Sequence, residues 1–152
     1  MGEFFGSLYS SIFEEFYGLD LANYLWGTTS DTATNQYIRI GLGMLGISFV
    51  VAIVFYYIVN HPKLNNWWGW LIFAGINCVG NFIMGWQYVQ RDLDANLMTK
   101  IDPETGQTVA LDVTTSNCLC FGVTNAIISL LFFFIFSMII KWRSKNVSHA
   151  PF

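Results

Sequence analysis

Charge is what this sequence has least of. Asp, Glu, Lys and Arg make up 11% of its 152 residues, under half of the roughly one-quarter share of a soluble domain, and too few to cover a water-facing surface. The shortage is concentrated. None of the four occurs between Arg39 and Lys63, between Lys63 and Arg91, or between Asp112 and Lys141. Each gap is long enough for the roughly 20 apolar helical residues that cross a hydrocarbon core, and helices of a soluble bundle would interrupt such stretches with polar faces. The net charge of −3, from 7 basic and 10 acidic residues, excludes the basic footprint of a nucleic-acid binder.

Chemically versatile side chains are scarce too. The two histidines, His61 and His149, stand in a loop and near the end of the chain. A converging set of nucleophile, base and metal ligands is therefore not expected. The sequence gives no catalytic residue, no metal site, no cofactor and no small-molecule substrate, and it predicts a protein that is not an enzyme. Three cysteines are too few for a disulfide framework. Cys78 lies inside the second apolar stretch and Cys118 and Cys120 open the third, so all three read as packing residues.

Several motifs are near misses. Gly41-Leu42-Gly43-Met44-Leu45-Gly46 has the form GxGxxG, but no strand precedes it and apolar sequence surrounds it, which excludes a dinucleotide loop. Asp92, Asp94 and Asn96 open like a calcium loop, but Leu97 stands where glycine belongs and Pro103 where glutamate belongs. Those acids read instead as a solvated helix cap. Three-helix half-transporters of the SemiSWEET kind carry a Pro-Gln element inside a helix. Here Pro62, Pro103 and Pro151 all lie outside the apolar stretches, so that resemblance does not hold. Nor does the start read as a signal peptide, since it lacks a basic region and Glu14 and Glu15 interrupt its apolar residues. Gly6 stands where a myristoylation motif wants Ser or Thr.

What the chain has in quantity is apolar and aromatic residues, 54% and 18%. The predicted fold is an all-α membrane protein, a single domain over 1–152 with three transmembrane helices at 40–59, 67–89 and 118–140. Residues 1–26 precede them as an amphipathic, aromatic-rich helix that Gly18 interrupts. Phe4, Phe5, Leu8, Tyr9, Ile12, Phe13, Phe16 and Tyr17 fall on its apolar side and Glu3, Ser7, Ser11, Glu14 and Glu15 on its polar side. Paired glutamates make a lipid-buried span costly there, so the helix is expected at the interface or docked on other helices. The 90–117 loop should hold a β-hairpin, because β-prone runs at 97–101 and 108–113 flank a turn with Pro103 and Gly106.

Candidate packing residues follow from helical spacing. Gly41, Ser48 and Ala52 fall within about 40° of one another, a face for close helix approach. Ala74, Asn77, Asn81 and Gly85 share a face of the second helix, and Cys118, Gly122, Asn125 and Ser129 a face of the third. Polar side chains in hydrocarbon need partners, so the two Asn-bearing stripes should meet each other or another subunit. Trp67, Trp68, Trp70 and Trp142 read as interface anchors. Phe5, Phe13 and Phe16 are candidates for contact with a protein partner.

Lys141, Arg143 and Lys145 close the chain without an acid among them, which places that end in the cytoplasm and the N-terminus outside. The sequon at Asn146 would then face the wrong side for glycosylation. The expected location is a bacterial inner or plasma membrane. The expected role is a non-enzymatic scaffold or assembly subunit of a larger membrane complex, with lipid and either another protein or further copies of itself as partners. The alternative is a small oligomeric pore with a neutral Asn and Ser lining, which would include a membrane effector or immunity protein.

Overall fold

The computed structural model describes residues 2–29, 34–58, 66–102 and 105–142. Among these, the elements run α1 (Gly2–Tyr17), α2 (Leu19–Trp26), α3 (Tyr37–Ile53), which continues as a π-helical turn (Val54–Ile58), α4 (Trp67–Asp94), β1 (Thr99–Ile101), β2 (Thr108–Ala110) and α5 (Thr115–Lys141). Three segments, Tyr37–Ile58, Trp67–Asp94 and Thr115–Lys141, are long and apolar enough to cross a membrane.

The three long helices begin at polar side chains that satisfy open N–H groups. Asn35 Oδ1 accepts from the N–H of Tyr37 at 3.0 Å, and Asn66 Oδ1 from that of Gly69 at 3.1 Å. Asn117 reaches back to the N–H of Thr114 at 3.0 Å, the reciprocal contact of a capping box. Its amide donates to the carbonyl of Tyr17 at 2.9 Å, so one side chain starts α5 and caps the end of α1. Between α1 and α2, Gly18 adopts φ 97°, a backbone conformation that a side chain would strain.

The long helices outrun their apolar stretches. α3 starts three residues before position 40, α4 runs on from 89 to Asp94, and α5 starts at Thr115 rather than 118. The apolar stretches set the expected limits, whereas backbone hydrogen bonding carries a helix on until a turn residue ends it. For α4 that residue is Asn96, at φ 54°. The adjacent Phe55 and Tyr56 of the π turn are both fully buried. Val59 and the 60–65 loop lie outside the described residues. The hairpin forms, with Thr99 opposite Ala110 and Ile101 opposite Thr108 in antiparallel register.

The chain divides into two compact units, each of which takes a portion of all three long helices. One contains residues 1–42 and 83–124, the other 43–82 and 125–152. In the first, the core is aromatic. Tyr9 stacks on Phe121 at 5.6 Å between ring centres, Tyr17 meets the same ring edge-on at 5.3 Å, and Trp26 lies against Tyr37 at 5.5 Å. Phe5 packs onto Gly41, where any side chain would overlap its ring. In the second, Ala52, Phe55, Tyr56, Ala74, Phe133 and Ile140 form an apolar cluster, with Trp70 and Phe73 against it.

Candidate functional site

The second unit holds the chain's most distinctive polar feature. Ser48 of α3, Asn77 and Asn81 of α4, and Asn125 and Ser129 of α5 are all fully buried. They form one hydrogen-bonded network. The Asn77 amide donates to both the carbonyl and the hydroxyl oxygen of Ser129, each at 3.2 Å. Asn81 donates to the side-chain oxygen and the carbonyl of Asn77, both at 3.0 Å, and reaches Ser48 Oγ at 3.5 Å. Asn125 donates to the Asn81 carbonyl at 2.7 Å, while the Ser129 hydroxyl donates to its own helix at Ala126, also at 2.7 Å. Ser48 donates to the Ser129 carbonyl at 3.5 Å, a long contact.

Geometry fixes the amide orientations. Turning Asn81 over would set its oxygen against the two oxygens of Asn77, so the amide nitrogen must face them. Asn81 Oδ1 is then left without a hydrogen-bond partner. All five side chains are neutral, so the network neither gains nor loses a proton near neutral pH. Its chemistry is cohesion: it joins three helices by bonds that hydrocarbon surroundings would leave no water to replace.

A second set of polar contacts lies in the first unit. The Tyr17 and Tyr37 hydroxyls bond each other at 2.8 Å. Tyr24 donates to Asp92 Oδ2 at 3.0 Å, and Tyr88 to the Gln36 side chain at 2.9 Å. Burial pushes the Tyr17 hydroxyl up to about 12. Burial also raises Tyr9 and Tyr24, the latter with help from the Asp92 carboxylate. Asp92 corrects the expectation of a solvated cap: it lies within α4, 6% exposed, with Tyr24 upon it. Among the described residues no group of three His, Cys, Asp or Glu could hold a metal. His61, His149 and the Asn146 sequon lie outside the described residues.

The remaining candidates separate by unit. Gly41, Gly85 and Gly122 are buried in the first, and Ala52 belongs to the apolar cluster of the second. Of the three phenylalanines expected to meet a partner, Phe5 is buried under the chain's own packing, Phe13 is half-buried and Phe16 is exposed. Trp67, Trp68 and Trp142 are exposed. Trp70 is half-buried: its indole N–H donates to the Ser137 hydroxyl at 3.2 Å and its ring lies 5.7 Å from Phe133. Ser137 is a buried residue that helical spacing does not point to, since eight residues past Ser129 it lies about 80° around α5 from that stripe.

No protein-family model, curated protein or solved structure matches the chain.

Proposed function

We propose that the chain is a non-catalytic integral membrane subunit that spans the bilayer three times and assembles with other membrane helices. The observation that carries this reading is a pair of glycines. Gly46 of α3 and Gly75 of α4 are exposed, and a Cβ at either would meet nothing within 4 Å. Glycine inside a helix costs about 1 kcal/mol relative to alanine. At Gly41 close packing of Phe5 accounts for it. At Gly46 and Gly75 no described residue does, whereas a neighbouring membrane helix that needs close backbone approach would. Exposed apolar neighbours surround both positions: Leu42, Phe49 and Val50 on α3, Ile72, Ile76 and Val79 on α4.

The pore reading is less well supported. The Asn and Ser side chains that would line it are fully buried, with Asn77 bonded to Ser129 and Asn81 to Asn77. The test is chemical crosslinking in native membranes followed by purification in mild detergent. A defined partner, or a defined oligomer of the chain, should be recovered with the native protein and lost with Gly46→Leu or Gly75→Leu. Recovery of the native chain only as a monomer overturns the assembly reading.

A further inference from the structure

The outer side of α1 carries an apolar row that the described residues of the first unit leave largely uncovered. Phe4, Ile12, Phe16 and, just past the helix, Leu19 are 60%, 68%, 53% and 61% exposed. Phe4, Leu8, Ile12 and Phe16 recur every fourth residue and so form one row along the helix.

What lies on either side of that row identifies its occupant. About 100° around the helix in one direction is the row of Phe5, Tyr9, Phe13 and Tyr17, which packs on the unit's own core. About 100° in the other direction is the row of Glu3, Ser7, Ser11 and Glu15, all exposed. One helix thus shows three faces, one against protein, one polar, and between them one apolar and largely exposed.

The inner contacts give the depth at which α1 lies. Phe5 rests on Gly41, the fifth residue of α3, and Tyr9 and Tyr17 rest on Phe121, the seventh residue of α5. At about 1.5 Å per residue, both places are within about 10 Å of the starts of those helices. Gly2 at one end of α1 approaches Ile38, the second residue of α3, and Gly18 just past the other end approaches Asn117, the third residue of α5. The helix therefore stays at one shallow level over its whole length, beside residues that belong to the membrane-crossing segments. A helix that lies in the membrane plane is sunk about 5–10 Å into the boundary between headgroups and acyl chains.

We infer that α1 lies flat in the bilayer interface, with Phe4, Leu8, Ile12 and Phe16 immersed in acyl chains and Glu3, Ser7, Ser11 and Glu15 turned to water. This rests on the membrane-spanning reading above. The partner of the bare row is lipid, and α1 and α2 carry four acids (Glu3, Glu14, Glu15, Asp20) and no base. Their electrostatics therefore favour a zwitterionic over an anionic surface.

The experiment places single spin labels on the full chain in zwitterionic phosphatidylcholine vesicles and compares collisions with oxygen, which concentrates in lipid, and with a water-soluble nickel chelate. Labels at Ile12→Cys and Phe16→Cys should show an oxygen-to-nickel ratio several-fold above labels at Ser7→Cys and Ser11→Cys. Labels at Ile76→Cys and Leu131→Cys, exposed positions on α4 and α5, test the spans themselves. If those two favour oxygen while Ile12 and Phe16 match Ser7 and Ser11, the spans stand and the interfacial placement of α1 is overturned. Protection of Ile12 and Phe16 from both reagents assigns the row to a protein partner and overturns it as well. If Ile76 and Leu131 are open to nickel, the membrane-spanning reading fails and takes the inference with it.

Discussion

Asn77 and Asn81, one turn apart on α4, bond to each other: the Asn81 amide nitrogen faces both oxygens of Asn77 at 3.0 Å. Each is also tied to α5, Asn77 through Ser129 and Asn81 through its carbonyl and Asn125. Replacing one asparagine leaves the other's buried group without its partner, at about 1–3 kcal/mol, whereas replacing both removes the orphan. Asn77→Leu and Asn81→Leu should each lower unfolding stability in detergent, and the double variant should lose less than the sum. Strict additivity in that double-mutant cycle would show the pair to be uncoupled.

Two glycines that look alike in sequence should behave oppositely. A side chain at Gly41 overlaps the Phe5 ring, so Gly41→Ala should destabilise the chain by about 1–3 kcal/mol through overpacking. At Gly75 the space is open, and leucine is the better helix former by up to about 1 kcal/mol. Gly75→Leu should therefore keep or raise thermal stability in detergent while it weakens association in membranes. A Gly75→Leu chain that unfolds as readily as Gly41→Ala would mean that the position is packed.

The difference between those two glycines is also the measure of what the sequence made legible. Spacing alone put Asn77 and Asn81 on one helical stripe and Asn125 and Ser129 on another, because a helix repeats every 3.6 residues wherever it packs. The three long helices, the break at Gly18 and the hairpin were legible for the same local reasons. Which aromatic side of α1 packs inward was not. Phe4 and Phe5 have the same composition and adjacent positions, yet one is exposed and the other meets Gly41 across 36 residues of chain. Trp70 likewise reads as one of a tryptophan cluster until Ser137, 67 residues away, accepts its N–H. Asp92 read as solvated because its donor, Tyr24, is 68 residues distant. Pairings at that separation leave no local pattern.

Asp92 offers a test of that long-range contact. The residue is 6% exposed and its carboxylate accepts from the Tyr24 hydroxyl, while Arg91 stands 3.9 Å away and is itself mostly in solvent. Tyr24→Phe keeps the ring and removes the donor, so it should cost about 1–3 kcal/mol, the range for leaving a buried acceptor unmet. Adding Asp92→Leu to Tyr24→Phe should recover part of the loss, because no buried charge then remains. Thermal melts of the two variants in one detergent decide it; an unchanged melting temperature for Tyr24→Phe would place Asp92 in water.

The buried tyrosines predict how the chain responds to alkali. A phenol is neutral when protonated, and burial raises Tyr17 from 10.0 to about 12; Tyr9 and Tyr24 are raised by the same cause. Below pH 10 both folded and unfolded chains keep these protons, and the full stability is present. Between about 10 and 12 the unfolded chain ionises at Tyr17 while the folded chain does not, so each step in pH favours unfolding. Stability in detergent should therefore fall as pH rises through that window, with tyrosinate absorbance from the buried rings appearing together with loss of helix. Tyr17→Phe removes one such group and should flatten the slope of stability against pH over the same window. A native chain whose stability stays level from pH 10 to 12 would show that Tyr17 titrates as it does in water.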